Sequence, residues 1–188
     1  MLDLSIMRVN SLSSRRSAAE RSAKVELAVL PDAAKMIFRG REAAIDAVGT
    51  AFGVAPSREA CRFASQGGRT VYWLGPDEWM LQANNENPIS VYDALSAALV
   101  SHSCSLVDVS HRSDAFSVTG RNAAYVLNHG CPLNLSLAEF PVGMCTRTVI
   151  GKAAVILSRP ADHTFHIDVW RSFAPYVWQY LDEARSEL

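Results

Sequence analysis

The densest cluster of chemically capable side chains is the pentapeptide 108–112, which reads Asp-Val-Ser-His-Arg. Serine, histidine and aspartate can form a nucleophilic triad, in which histidine takes the serine proton and aspartate orients the histidine. Such a serine often lies on a strained turn within Gly-x-Ser-x-Gly, and the sequence does not contain this motif. Alternation along a strand also points Asp108 and Ser110 to one face and His111 to the other. We therefore interpret the pentapeptide as a strand end that carries a hydrogen-bonding network.

A second group of candidate side chains, His163, His166 and Asp168, has the chemistry of metal ligands. On an extended strand His166 and Asp168 share a face, whereas His163 lies across a turn and has the wrong parity. No further ligand follows at a useful spacing. The sequence therefore predicts no metal site, and no catalytic or cofactor-binding residue is predicted on this chain.

The cysteines show neither a Cys-x-x-Cys pair nor the close spacing of a structural zinc site. They are Cys61, Cys104, Cys131 and Cys145. Without a secretion signal we expect reduced thiols that serve mainly in packing. Cys131 follows Gly130, which is predicted to cap a helix, and precedes Pro132, which prevents the helix from continuing. Nucleophilic use of Cys131 would require a neighbouring base, and the sequence supplies none.

Composition excludes several classes of function. The chain has 188 residues, 49% of them hydrophobic, and a net charge of −1, so neither nucleic acid nor an anionic membrane is expected as a partner. Apolar runs such as Ala153–Leu157 are far shorter than the roughly 20 residues that span a bilayer. The phosphate-binding motifs Gly-x-Gly-x-x-Gly and Gly-x4-Gly-Lys-Ser/Thr are absent. These features predict a soluble, cytoplasmic protein.

Residues 1–23 differ from the rest of the chain. They are rich in arginine and serine and lack the uninterrupted apolar core of a secretory signal. We expect a polar basic N-terminal arm that is ordered only where another surface holds it, and a transit peptide is the alternative that the arginine and serine content leaves open.

The remaining residues, 24–188, show the same order of predicted elements twice. In the first half we predict strands at 25–30, 35–38, 61–65, 70–74 and 79–83 and helices at 41–52 and 89–100. In the second half we predict strands at 105–109, 115–119, 146–150, 153–157 and 165–169 and helices at 121–128 and 172–183. Turns are predicted at Gly67-Gly68, Gly151-Lys152 and Arg159-Pro160, and Asn87-Pro88 is predicted to open a helix.

Gly40 and Gly120 mark equivalent turns in these halves, because each is followed by Arg-x-Ala-Ala after a strand. The sequence therefore predicts an α+β protein, a single domain made of two pseudo-repeats, about 24–103 and 104–188. We expect two tandem ferredoxin-like halves whose antiparallel sheets pack through a shared core.

Several segments resemble known proteins. The run Asp108–Arg112 followed by Phe116-Ser-Val-Thr-Gly120 resembles the aminomethyltransferase, or T-protein, superfamily. The segments 74–79, 130–133, 140–143 followed by 147–148, and 171–178 resemble the γ subunit of heterotetrameric bacterial sarcosine oxidase. The resemblance implies the aminomethyltransferase folate-binding fold and a structural role in a complex that demethylates sarcosine. It also implies α, β and δ subunits as partners, which would carry FAD, FMN, NAD and tetrahydrofolate.

One departure from the T-protein pattern separates the possible functions. T-protein relatives carry an acidic pair after a Gly-Gly turn, whereas Gly151–Leu157 reads Gly-Lys-Ala-Ala-Val-Ile-Leu here. We therefore do not transfer folate catalysis to this chain. A free-standing folate-binding module remains the alternative function, and a hydrolase using Ser110 and His111 ranks last.

Overall fold

A computed structural model describes residues 10–12 and 24–188, which form ten strands and four helices. The strands are β1 (Glu26–Val29), β2 (Ala33–Arg39), β3 (Phe63–Gln66), β4 (Arg69–Gly75), β5 (Glu78–Asn84), β6 (Ser105–Asp108), β7 (Ser113–Thr119), β8 (Cys145–Ile150), β9 (Ala153–Ala161) and β10 (Thr164–Trp170). The helices are α1 (Ala43–Phe52), α2 (Pro88–Leu99), α3 (Ala123–Asn128) and α4 (Ala174–Ser186). Most of the predicted N-terminal arm lies outside the described residues.

The strands form two antiparallel sheets with the same internal order. The first sheet has the order β6-β2-β5-β4-β3, and the second has the order β1-β7-β10-β9-β8. Each half of the chain contributes the series ββαβββα, but its first strand joins the sheet of the other half. Thus β1 pairs with β7, and β6 pairs with β2. The predicted α+β class with two antiparallel sheets is confirmed, and this exchange of first strands was not predicted.

Three apolar cores hold the layers together. One core lies between the first sheet and helices α1 and α2, and another between the second sheet and helices α3 and α4. The predicted shared core between the sheets is present, but it is the smallest of the three. It contains Tyr72, Leu74, Met80 and Cys145. The sheets therefore meet over a limited apolar area, and polar groups occupy part of the space between them.

Local sequence signals determine several ends of elements. Asn87 accepts a hydrogen bond from Ile89 N at 2.9 Å and so caps α2, as predicted from Asn-Pro. Gly67 and Gly68 both have positive φ and form the tight turn between β3 and β4. Among the helices of the described residues, none is both long and apolar enough to cross a membrane.

The turn predicted at Arg159-Pro160 is wrong, because β9 continues through both residues to Ala161. The pairing of β9 with β10 shifts register here: Ser158 pairs with His166, and the next pair is Ala161 with Thr164. Such a bulge tolerates proline, which has no backbone N–H to donate to the ladder. The turn follows at residues 162–163.

Gly130 does not cap α3 in the predicted way. The residue that caps the helix is His129, in a right-handed conformation. A Cβ atom on Gly130 would lie 2.8 Å from Gly151 N and 2.8 Å from a ring carbon of Tyr180. The close approach of Gly151 and Tyr180, rather than the backbone conformation, therefore requires glycine at this position.

Gly40 and Gly120 occupy equivalent positions, as their sequence context predicts. Gly40 N donates to Asp77 O at 3.1 Å, just before β5, and Gly120 N donates to His163 O at 2.9 Å, just before β10. Gly120 also has a φ of +136°, and a Cβ atom there would collide with the carbonyl oxygen of Lys24. Only glycine fits both this backbone conformation and this contact.

Candidate functional site

The Asp108–Arg112 cluster forms a turn that follows β6. Ser110 is fully buried, and its Oγ accepts a hydrogen bond from Lys35 N at 2.9 Å. Ser110 N donates to Asp108 Oδ1 at 2.8 Å, so the carboxylate holds the turn. His111 is exposed. Because the serine is buried and the histidine faces solvent, these two side chains do not form a nucleophilic pair. The cluster is a hydrogen-bonded strand end whose serine satisfies the backbone of β2.

Lys35, in the middle of β2, is a buried lysine that links the two sheets. Its Nζ forms an ion pair with the Asp168 carboxylate on β10 and donates to Ser113 Oγ at 3.1 Å. The side chains of Lys35 and Asp168 are only 3% and 12% exposed. A buried charge is tolerated when an opposite charge and further hydrogen bonds replace its hydration, and both are present here.

A cleft of about 370 Å³ lies between the two sheets beside this ion pair. Its floor is apolar and is formed by Ile37 and Met80 of the first sheet and Ile156 of the second. Val107, on the edge strand β6, forms part of the rim. This volume is within the range of ordinary ligand-binding pockets, about 300–1,000 Å³. The cleft is therefore the candidate functional site of the chain.

Two arginines border the cleft and differ in their partners. At one end Arg147 forms an ion pair with Glu78, and it also donates from Nη1 to Leu74 O at 3.1 Å. At the other end the Arg112 guanidinium lies 4.3 Å from the centroid of the Trp170 ring, a cation–π arrangement. Arg112 is exposed, and no carboxylate of the described residues forms a salt bridge with it.

Burial controls the ionisation of the groups around the inter-sheet core. It raises the pKa of the Tyr72 phenol and raises the pKa of the Cys145 thiol to about 12. It also lowers the pKa of His166 below its usual value. Each change favours the neutral form at pH 7. These three side chains therefore offer neither a reactive thiolate nor an imidazolium at neutral pH.

The candidate metal ligands are separated by the fold. His166 and Asp168 lie on one face of β10, as predicted, but Asp168 is occupied by Lys35. His163 lies in the exposed turn before β10. Across residues 10–12 and 24–188, no three His, Cys, Asp or Glu side chains are grouped as metal ligands.

All four cysteines are free, and Cys131 and Cys145 are buried. Cys131 Sγ lies 3.8 Å from Thr148 Oγ1, and Cys145 Sγ donates to Trp73 O at 3.5 Å. Both thiols thus contribute to packing and to weak hydrogen bonds, in agreement with the interpretation of the sequence.

Lys35 is not among the residues predicted for a site, although the sequence contains a signal for it. Lys35 is flanked by apolar residues in the run Ala-Ala-Lys-Met-Ile-Phe, where a strand buried on both faces is expected to be apolar throughout. A lysine in such a run indicates a buried partner. Its partner Asp168 was considered only as a metal ligand, because nothing in the local pattern links two residues so far apart.

Comparison with known proteins first defines the class of fold. The two-sheet arrangement is that of the aminomethyltransferase T of the glycine cleavage system from Bartonella henselae, with a TM-score of 0.67 at 14% identity, over 89% of this chain and 47% of that chain. A family model narrows the class further. The model for "Sarcosine oxidase, gamma subunit family" matches residues 32–187, and the chain belongs to that family.

Individual relatives agree with the family. A chain of the heterotetrameric sarcosine oxidase from Corynebacterium sp. U-96, solved in complex with pyrrole 2-carboxylate, matches with a TM-score of 0.85 and 29% identity over 94% of this chain and 92% of that chain. The sarcosine oxidase subunit gamma of Corynebacterium sp. strain P-1 is 28% identical over 95% of this chain and 94% of its own length. That of strain U-96 is 34% identical over 64% of this chain, and the match spans 58% of the relative's length.

Tetrahydrofolate, which the aminomethyltransferase-like fold implies, does not fit the residues of the cleft. The β9 residues that line it are Ala154, Val155 and Ile156, whose side chains offer no hydrogen bond to a polar ring. The two carboxylates at the cleft, Glu78 and Asp168, are both engaged in ion pairs. A folate site needs uncommitted polar groups that converge on the ligand, and these positions do not supply them.

Proposed function

We propose that this chain is the small accessory gamma subunit of a heterotetrameric sarcosine oxidase. Such a complex demethylates sarcosine oxidatively to glycine and yields hydrogen peroxide and, with tetrahydrofolate, methylene-tetrahydrofolate. The observation that carries the proposal is the likeness to a chain of the heterotetrameric enzyme over 94% of this chain, at a TM-score of 0.85 and 29% identity. The chain has a structural and assembly role in the complex and contributes no catalytic residue.

The proposal assigns the chemistry to partner chains. The α, β and δ subunits carry FAD, FMN, NAD and tetrahydrofolate, and this chain binds no cofactor. Two features support that division. Ser110, the strongest candidate nucleophile, is buried and bound to the backbone of Lys35. Both carboxylates that line the cleft, Asp168 and Glu78, are neutralised by ion pairs with Lys35 and Arg147.

We further propose that the protein acts in the cytoplasm without nucleic acid or membrane as a partner. We also propose that residues 24–188 form one domain of two pseudo-repeats, about 24–103 and 104–188. The repeated ββαβββα series supports the two pseudo-repeats. Exchange of β1 and β6 between the sheets supports a single domain, because neither half completes a sheet with its own strands.

Co-expression of the tagged chain with the α, β and δ subunits from the same genome tests the proposal. We expect the tagged chain to copurify with a flavin-containing complex that oxidises sarcosine, and omission of this chain to reduce the yield of assembled complex. Recovery of the tagged chain alone, while the other three subunits form an active complex, would contradict the proposal.

The likeness of the fold to an aminomethyltransferase supports a second candidate, a free-standing folate-binding module. Titration of the isolated chain with tetrahydrofolate separates the two functions. Saturable binding at micromolar concentration supports the module, whereas the paired carboxylates and the apolar floor of the cleft lead us to expect no such binding.

A further inference from the structure

We propose that the mouth of the inter-sheet cleft and the outer edge of β6 together bind an extended segment of a partner subunit, one in which an apolar side chain lies next to a carboxylate. This inference rests on the proposed function and names the surface and the chemistry of the contact. Three features of the described residues carry it: exposed apolar side chains at the rim, an open strand edge, and an arginine without a carboxylate partner.

The apolar surface continues from the cleft onto its exposed rim. Val107 and Trp170 both line the cleft and are nevertheless 49% and 50% exposed. Val149, which is 40% exposed, pairs with Ala154 of the cleft lining and so extends the apolar surface by one strand. Contiguous exposed apolar side chains of this kind mark binding surfaces, and a half-exposed tryptophan is a frequent anchor in protein interfaces.

Beside this rim lies the outer edge of β6, which pairs with no strand of the described residues. β6 pairs with β2 on one side and is the last strand of the first sheet in the described part of the chain. In an antiparallel ladder, alternate N–H and C=O groups of an edge strand point away from the sheet. An extended polypeptide can add to such an edge through backbone hydrogen bonds and place alternate side chains in an adjoining pocket. The cleft, bordered by Val107 of β6, is that pocket.

The charge at the rim indicates a carboxylate on the bound segment. The Arg112 guanidinium is held on the Trp170 ring and lacks a carboxylate partner among the described residues, so it is available to an incoming acid. A small polar ligand fits the site less well, because Glu78, Arg147, Lys35 and Asp168 already satisfy one another. The surface thus combines an apolar pocket, a strand edge and one accessible cation, which suits a peptide.

Variants of the chain in the co-expressed complex test this surface. Trp170→Ala removes the apolar anchor, and we expect the affinity for the partner subunits to fall about thirtyfold, as for other hot-spot truncations. Arg112→Glu reverses the rim charge, and we expect a smaller loss, about five- to tenfold, that diminishes at high salt. Circular dichroism and thermal unfolding of each variant establish that it is folded.

Matched controls are available on the same chain. Arg121→Glu makes the same charge reversal at the opposite end of β7, and Val100→Glu places a charge on a valine that is 87% exposed beyond α2. We expect both control variants to assemble like the wild type. If all four variants bind the partner subunits with equal affinity, the proposed surface is overturned while the proposed function stands. Failure of the wild type to assemble overturns both.

Photocrosslinking provides a second test that does not depend on destabilising variants. A photoreactive phenylalanine analogue at position 107 is expected to crosslink, within the assembled complex, to a partner peptide with an apolar residue beside Asp or Glu. The same analogue at position 100 is expected to give no such product. A crosslink to another copy of this chain, or an assembled complex without a partner crosslink at position 107, overturns the inference.

Discussion

Lys35 and Asp168 form an ion pair across the interface between the two sheets, and they come from different halves of the chain. Both side chains are largely removed from water. The pair therefore fixes the relative position of the sheets where the shared apolar core is small, next to the cleft.

Replacement of one partner is expected to be more damaging than replacement of both. Lys35→Met leaves the Asp168 carboxylate buried without an opposite charge, and we expect a loss of about 3–5 kcal/mol in the free energy of unfolding. The double variant Lys35→Met/Asp168→Leu is expected to recover much of this loss. Urea denaturation followed by tryptophan fluorescence measures both.

The exposed ion pair between Arg39 and Asp77 is the matched control for this prediction, because its side chains are 56% and 36% exposed. Arg39→Met is expected to cost about 0–1 kcal/mol. Similar losses for Lys35→Met and Arg39→Met would show that the buried pair has no special weight in stability.

Ser110→Ala is expected to affect stability and leave catalysis by the assembled complex unchanged. It removes the acceptor of the buried Lys35 N–H, and an unsatisfied buried donor costs about 1–3 kcal/mol. Thermal unfolding and turnover per assembled complex measure the two effects. Ser65→Ala, which removes an exposed hydrogen bond to Thr70, is the control and is expected to stay within about 0.5 kcal/mol of wild type. Loss of turnover in folded Ser110→Ala would restore the nucleophile hypothesis.

Gly120→Ala is expected to destabilise the fold by about 3 kcal/mol, from a strained backbone and a collision with the chain at Lys24. Gly143→Ala separates backbone strain from collision. Gly143 has a φ of +87°, but a Cβ atom there would meet no described residue within 4 Å beyond its own neighbours in the chain. We expect about 1 kcal/mol there, from backbone strain alone. Equal effects in urea denaturation would argue against the close approach at Gly120.

His166 is expected to make stability fall as the solution becomes acidic. Burial lowers its pKa in the folded state below the ordinary value of 6.5, so the unfolded chain binds the proton more readily. The contribution of neutral His166 is therefore fully present above pH 6.5 and decreases as the pH falls through that value towards the lowered pKa. His166→Gln is expected to flatten the dependence of the urea midpoint on pH between about 7.5 and 5.5. The exposed His163→Gln variant should keep the wild-type dependence, and parallel curves for all three proteins would refute the prediction.

Local signals predicted most elements of the fold. Gly67-Gly68 supplied the positive φ of the hairpin, and Asn87 supplied a side-chain acceptor for the first turn of α2. The error at Pro160 arose because proline usually interrupts a strand, whereas a bulge accommodates it here.

Non-local features of the site were beyond the local pattern. The pairing of β6 with β2 and the ion pair between Lys35 and Asp168 both join residues distant in sequence, and strand periodicity carries no information on partners. The cleft follows from these pairings, because it lies where the edge strand and the second sheet meet. Its position could therefore not be predicted from the residues that line it.

The exchanged first strands have a consequence for the order of folding during synthesis. The first sheet lacks its edge strand until Ser105–Asp108 has left the ribosome, and Glu26–Val29, made early, has no partner until the strand Ser113–Thr119 follows. The two halves therefore complete their folding together rather than one after the other. Folding also depends on contacts between residues distant in sequence, and such contacts form slowly. Separate fragments ending and beginning near residue 103 would each lack one strand, and each would carry the strand that the other needs.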